Sequence, residues 1–179
     1  MSTPIPPDTK DWTWVVDRPC PECGFDPASV TRGTLPARIA ATATPWPDRL
    51  ARPDARDRPD PTVWAPAEYA AHVRDVAGVM AARLRLILDE DDPRFPNWDQ
   101  DAAAVEGDYP STDPARVTTE LQAAVGALAA AYGAVADEEW DRPGLRSNGS
   151  VFTAWTLGVY ALHDLEHHLH DVGAEVGER

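Results

Sequence analysis

Histidine is concentrated near the end of this 179-residue chain: four of its five imidazoles lie within HDLEHHLHDV, residues 163–172. His163 and His167 are four residues apart, which places them one turn apart on one face of a helix. Imidazoles at this spacing can bind one metal ion, but two ligands do not complete a site. His168 and Asp164 are predicted to point away from that face. The pattern therefore predicts part of a metal centre on the last helix.

The fifth histidine, His72, lies far upstream on a predicted helix, where the apolar residues Tyr69 and Val76 flank it on adjoining turns. A single inward-facing histidine is more often a core residue than a ligand, and that interpretation stays open. His72 is nevertheless the only histidine outside the last helix that could supply a third nitrogen, which favours the metal interpretation. Asp75, one turn beyond, is a candidate catalytic base or imidazole partner, or else an acid on a solvated helix flank.

The two cysteines, Cys20 and Cys23, form one CxxC pair inside RPCPECGFD. Proline and glycine around the pair indicate a tight turn, and no βαβ pattern that would suggest a redox fold is visible. Three interpretations stay open. The thiolates could form a zinc knuckle with further ligands, they could join the histidine metal as additional ligands and close its coordination shell, or both thiols could be reduced and partly buried.

Hydrophobic periodicity predicts helices and no convincing strand. Proline and glycine positions set the expected boundaries, and the long stretch 89–114 is predicted to be a loop. The expected fold is all-α, a four-helix bundle over residues 33–179 preceded by an irregular extension over residues 1–32 that carries the CxxC pair. The predicted helices cover Leu35 to about Ala51 (with Pro45 and Pro47 as breaks), Pro66 to about Ile87, Pro114 to about 136, and Val151 to Val172.

Composition limits the classes of partner. The formal net charge is −14, which argues against nucleic acid, because phosphate binding needs clustered Lys and Arg. No apolar run is long enough to span a bilayer, and the N-terminus lacks the features of a secretory signal. The expectation is a cytoplasmic protein with no nucleic-acid or membrane partner.

Two segments carry a family resemblance: VWAPAEYAAHVRDV, residues 63–76, and LHDLEHHLHDV, residues 162–172. One histidine on the second helix and HxxxH on the fourth resemble the DinB/YfiT-like metalloenzyme superfamily, which includes mycothiol-dependent maleylpyruvate isomerase N-terminal domains and bacillithiol transferases. The resemblance covers roughly residues 30–173. It implies a four-helix bundle in which His72, His163 and His167 bind a divalent metal, with zinc favoured and nickel or iron as alternatives. The composition is similar to that of actinobacterial members, and DWTWVVDRPCPECGFD looks like an extension present in a subset of them.

The resemblance also implies a chemistry. Three imidazoles leave coordination positions open, where a thiol could be deprotonated for attack on an electrophile. The prediction is therefore a mycothiol-type thiol-dependent S-transferase, whose partners are a low-molecular-weight thiol and a small electrophile, with a homodimer possible. The alternatives are a metal-dependent hydrolase and a non-catalytic protein whose His/Cys site is structural or senses metal or redox state.

Other side chains are secondary candidates for the same site. Trp64 and Trp155, at the starts of the two histidine-bearing helices, could wall a pocket above the metal, although such residues are more often core plugs. Arg146 and Asn148, in the connection before the last helix, could meet an anionic substrate.

Overall fold

A computed structural model describes residues 5–7 and 9–176 of the chain. Within these residues the chain forms six α-helices, three short strands and three single 3-10 turns. The helices are α1 (Leu35–Ala41), α2 (Trp46–Leu50), α3 (Pro66–Asp89), α4 (Gln100–Glu106), α5 (Pro114–Gly133) and α6 (Ala154–Asp171). The strands are β1 (Arg94–Phe95), β2 (Pro143–Arg146) and β3 (Val151–Thr153). The 3-10 turns are Thr13–Val16, Pro27–Ser29 and Tyr109–Ser111.

Four of the helices build the bundle, so the predicted four-helix architecture is confirmed. α3 packs against α5 and α6, and α1 packs against the same two helices, which closes a ring of four. The apolar faces of these helices meet in a shared core whose side chains are almost fully buried. Its largest members include Leu35, Ile39, Leu84, Ile87, Leu121, Leu128, Tyr132, Leu157, Leu162 and Leu165.

The first predicted helix is divided in two by its prolines. α1 ends at Ala41, and α2 begins at Trp46 with Pro45 as its N-cap residue and Pro47 in its first turn. Proline is tolerated there because the first N–H groups of a helix have no intrahelical partner. The Trp46 side chain is fully buried and fixes the second piece to the core.

A charged clamp fixes the start of α3 and so the register of His72. Pro66 occupies the first turn, and the Glu68 carboxylate accepts the backbone N–H of Ala65 at 2.7 Å. Arg58 from the preceding connection donates to both Glu68 oxygens, at 2.8 and 2.5 Å. These bonds satisfy groups that a helix N-terminus leaves unpaired.

The start of α6 is fixed by a reciprocal cap and a close approach. The Thr153 hydroxyl accepts the Thr156 N–H at 3.1 Å, and the Thr156 hydroxyl accepts the Thr153 N–H at 2.8 Å. A Cβ at Gly158 would lie 2.6 Å from Leu35 and 2.8 Å from Tyr132. Glycine therefore allows α1 and α5 to approach α6, and this packing determines which α6 side chains face α3.

A small sheet and α4 differ from the predictions. The stretch 89–114, predicted as loop, contains β1 and α4. β1 pairs parallel to β2, and β2 pairs antiparallel to β3, so the last predicted helix loses its first three residues to a strand. Asp99 caps α4 by accepting two backbone N–H bonds at 3.1 and 2.9 Å. The strands are too short for an alternating pattern to be visible in the sequence.

The predicted extension lies against the bundle as irregular chain with two 3-10 turns. The turn Thr13–Val16 packs on α6. Cys20, Phe25 and Val30 bury their side chains in the same core as the helices. Residues 1–4 and 8 of the predicted extension, and residues 177–179 of the predicted bundle, lie outside the described residues.

Candidate metal centres

Two interleaved pairs of ligand-type side chains lie on the C-terminal half of α6. His163 and His167 form one pair, Asp164 and His168 the other, and each pair has the four-residue spacing that aligns side chains on a helix. Neighbouring residues are turned by about 100° around the helix, so the two pairs face different surroundings. α6 therefore presents two half-sites side by side.

The second pair meets His72 from α3. We refer to His72, Asp164 and His168 as the His–Asp–His group; one ligand atom from each lies within 4.8 Å of the others. Asp164 Oδ1 is 3.0 Å from His168 Nε2 and 3.7 Å from His72 Nε2. Asp164 Oδ1 is buried, and its contact with His168 Nε2 is a close charged pair that lacks regular hydrogen-bond geometry. Two imidazole nitrogens thus converge on one buried carboxylate oxygen.

A second carboxylate, that of Asp171, orients His168 through the ring nitrogen that does not face Asp164. His168 Nδ1 donates to Asp171 Oδ2 at 2.8 Å, because a carboxylate can only accept. Burial opposes the charged imidazole, but the close carboxylates of Asp164 and Asp171 outweigh it and raise the pKa of His168 to about 9. Carboxylates that hold the far nitrogen of an imidazole are typical of metal-ligating histidines.

Burial acts in the opposite direction on His72. It lies between Trp64 and Trp98, whose rings are 5.1 and 5.5 Å from the imidazole. Burial lowers the pKa of His72, against the opposing effect of Asp164, so this imidazole is neutral as metal coordination requires.

The first pair meets the two cysteines. We refer to Cys20, Cys23, His163 and His167 as the Cys–His group; their ligand atoms also lie within 4.8 Å of one another. Cys20 Sγ is 3.9 Å from His167 Nδ1. Burial lowers the pKa of His163 to about 4 and also lowers that of His167, so both rings are neutral. Burial is also the main reason that the pKa of Cys23 rises to about 11.

The predicted three-histidine set is therefore divided between the two groups. His72 belongs with Asp164 and His168, whereas His163 and His167 belong with the cysteine pair. The set of His72, His163 and His167 stays a prediction. The physical reason for the division is the rotation of α6, which directs Asp164 and His168, rather than His163 and His167, toward α3.

Asp75, the candidate catalytic residue, has other partners. Its carboxylate accepts from Arg74 at 2.7 and 3.1 Å and from the Tyr109 hydroxyl at 2.6 Å. These bonds direct Asp75 toward α5 and the turn at Tyr109, and its influence on His72 is electrostatic.

Asp164 lies between two cavities. One, of about 310 Å³, reaches both pairs on α6 and is walled by Trp12, Trp64 and Tyr69. The other, of about 490 Å³, extends from Asp164 and Tyr160 to Arg83 and Arg146, with Trp98 and Asn148 at its wall.

The remaining predicted side chains divide between these cavities and the core. Trp64 walls the first cavity, while Trp155 packs edge-on against Trp140, at 6.0 Å between ring centroids. Arg146 and Asn148 both line the second cavity. His170 is exposed.

Two site residues, Asp164 and His168, are predicted from the sequence to point away from the face that carries His163 and His167. The available signal was the double spacing in HDLEHH, where the pair Asp164 and His168 repeats the spacing of His163 and His167 one residue later. Spacing alone cannot decide which pair faces His72.

Comparison with known proteins identifies the family. The profile of the DinB superfamily matches residues 35–172, so the chain belongs to the DinB superfamily. The chain is also similar to a solved structure, YfiT from Bacillus subtilis, which is described as a probable metal-dependent hydrolase with an unusual four-helix bundle topology. The match has a TM-score of 0.69 and 19% sequence identity, and covers 79% of this chain and 86% of YfiT. No curated protein matches.

Within residues 5–7 and 9–176, no helix combines the length and apolar character that crossing a bilayer requires.

Proposed function

We propose that this protein is a metal-dependent enzyme whose open centre is the His–Asp–His group, and that it transfers a low-molecular-weight thiol to a small electrophile bearing an anionic group. The observation that carries the proposal is the convergence of His72 Nε2 and His168 Nε2 on the buried Asp164 Oδ1, at 3.7 and 3.0 Å, beside a cavity.

The donor set fits a divalent cation. Two imidazoles and one carboxylate are a ligand combination of catalytic zinc and of non-haem iron, and three protein ligands leave coordination positions for other molecules. When bound, a divalent cation supplies Lewis acidity, which favours the deprotonated form of a thiol or water. Asp171 keeps the Nδ1 proton of His168 in place, so Nε2, which lies 3.0 Å from Asp164 Oδ1, would release its proton and become the ligand atom when a cation binds.

The surroundings of Asp164 and His168 favour a catalytic centre over a structural one. Asp164 borders both cavities, and its side chain is 23% exposed. His72 is 1% exposed and forms the buried side of the group, because Trp64 and Trp98 cover its ring and exclude water. A structural site would be enclosed by protein ligands on every side.

Two buried arginines support an anionic substrate. Arg83 and Arg146 are 5% and 7% exposed, and neither forms an ion pair with a described carboxylate. Arg83 donates to the Pro96 carbonyl and Arg146 to Asn148 and Ser150. Buried cations are normally paired, so two guanidinium groups beside one cavity in a chain of net charge −14 favour a carboxylate or similar anion as the missing partner.

A hydrolase is the second candidate. The observation that favours it is the shared fold with YfiT, which is itself described as a probable metal-dependent hydrolase. The two candidates use the same ligands and the same arginines, and they differ in whether a thiol is consumed.

The experiment compares metal-loaded protein with and without added thiol. Cysteine, glutathione and mycothiol are each offered with matched small electrophiles that carry or lack a carboxylate, and thiol consumption and product mass are followed. We expect turnover that requires thiol and favours the carboxylate-bearing electrophile. His168→Ala is expected to abolish it, and His170→Ala, an exposed histidine on the same helix, to leave it unchanged.

The other outcomes are distinct. Ester or amide cleavage by the metal-loaded protein without thiol, lost in His168→Ala, would replace the transferase with the hydrolase. Metal binding at His72 and His168 without any turnover would overturn an enzymatic function for this centre.

A further inference from the structure

We infer that the Cys–His group is a second, closed metal site, specific for zinc, that fastens the N-terminal extension to α6. It is distinct from the His–Asp–His group and does not depend on the proposed activity. Its four ligand atoms, two sulfurs and two imidazole nitrogens, lie within 4.8 Å of one another.

The chain around the cysteines turns in the manner needed to converge two thiolates. The Cys20 N–H donates to the Phe25 carbonyl at 2.8 Å, and the Gly24 N–H donates to the Cys20 carbonyl at 2.9 Å. Gly24 has φ +77°, a conformation that side-chain-bearing residues rarely adopt. This reversal places both sulfurs over the same face of α6.

The histidines complete the set. His163 Nε2 is buried and has no hydrogen-bond partner among the described residues, and the residue is only 4% exposed. His167 presents Nδ1 to Cys20 Sγ at 3.9 Å. An unsatisfied buried nitrogen is rare in native structures and needs an explanation, which a bound metal supplies.

The dimensions and donor chemistry select zinc. Zinc–sulfur bonds of about 2.3 Å and zinc–nitrogen bonds of about 2.0 Å place tetrahedral ligands roughly 3.3 to 3.8 Å apart. Ligand atoms that lie within 4.8 Å of one another must therefore approach by at most about 1 to 1.5 Å to bind one zinc ion. Two thiolates with two imidazoles form one of the common structural zinc sets, with no position left for substrate.

Aromatic side chains cover this site. The Trp12 ring lies 5.5 Å from His163 and 5.1 Å from His167, and the Phe25 ring lies 5.4 Å from His163. Both cysteines also belong to the extension, so the metal would join its residues 12–25 to α6. Because Trp12 also walls the cavity of about 310 Å³, the closed site would fix one wall of the open centre.

The test counts metals and identifies their ligands. Purified full-length protein is exposed to zinc, freed of loose metal, and analysed by mass spectrometry for metal content, as wild type, as Cys20→Ser/Cys23→Ser and as His72→Ala. We expect two metals in wild type and one in each variant. With cobalt in place of zinc, the thiolate-to-cobalt absorption band should appear in wild type and His72→Ala but not in the cysteine variant.

Limited proteolysis supplies a second readout, which can be taken on the wild-type protein. Removing zinc from wild type with a chelator should make the segment 10–33 sensitive to protease, and adding zinc back should protect it. His170→Ala should behave as wild type.

Several results would overturn the inference. Cobalt-loaded wild type without a thiolate band would do so even if the cysteine variant fails to fold. The inference would also be wrong if the cysteine variant keeps two metals, or if wild type holds a single metal that His72→Ala loses. It would be wrong as well if the chelator does not change the protease sensitivity of the extension.

Discussion

The two ligand pairs on α6 have the same spacing but different surroundings. The pair His163 and His167 is covered by the N-terminal extension, which brings two cysteines and the Trp12 ring. The pair Asp164 and His168 faces His72 and lines the cavity of about 310 Å³, which His163 and His167 also reach, and Asp164 alone of the four borders the second cavity. One helix thus carries one face suited to a closed site and one suited to an open site. What packs on each face, and not the spacing of the ligands, determines which chemistry is available.

Removing a ligand of the His–Asp–His group should have the largest effect on activity. We expect His168→Ala to lower activity by about a thousand-fold or more, because the stabilisation supplied by a catalytic metal amounts to several kcal/mol. Metal analysis should show one metal lost and the cobalt–thiolate band retained. If the thiolate band disappears instead, the two groups are not independent.

Asp171 tests how the open face is supported. Asp171→Asn removes the carboxylate that accepts from His168 Nδ1, and loss of such a partner typically weakens metal affinity about 10- to 100-fold. Competition with a fluorescent chelator measures the change. Asp171→Glu should restore part of the affinity, and an unchanged affinity in Asp171→Asn would refute the positioning role.

Arg146 tests the anionic substrate. Arg146→Gln should raise KM about tenfold for the carboxylate-bearing electrophile, consistent with loss of a charge-assisted hydrogen bond, with little change for its neutral analogue. Because Arg146 is also buried in β2, thermal unfolding of the variant serves as control. An equal effect on both substrates would argue against a direct contact.

The smallest effect is expected from a change beside the Cys–His group, and it concerns the stability of the folded protein. Gly24→Ala places a side chain at φ +77° and should destabilise the folded protein by about 1 kcal/mol. Chemical unfolding with zinc measures this, and Gly126→Ala, in open space on α5, is the matched control and should be neutral or stabilising. A Gly24→Ala protein as stable as wild type would show that the turn is not held in this conformation.

The bundle was predictable because its signals are local. Pro66 and Pro114 mark helix starts, and α6 ends just before Gly173, as apolar periodicity and breaker residues predict. The sheet was not predictable, because β1 is two residues long and Gly144 lies against Ile87 and Phe95. Such pairing depends on tertiary contacts rather than on a pattern in the chain.

The site was predictable only in part for the same reason. The sequence identifies His72, the pair His163 and His167, and the cysteines as ligand-type residues. It does not identify the partner of each residue. Adjacent residues on a helix are rotated by about 100°, so the two pairs on α6 face different surroundings, and the sequence does not show which pair faces His72. The rotation of α6 is set by contacts such as those of Gly158 with Leu35 and Tyr132, which lie far away in sequence.

The most direct test of two separate centres is a crystal structure of zinc-loaded protein with anomalous diffraction recorded on both sides of the zinc absorption edge. We predict two anomalous peaks, one bound by Cys20, Cys23, His163 and His167, and one bound by His72, Asp164 and His168. A single peak coordinated by His72, His163 and His167 would contradict this account.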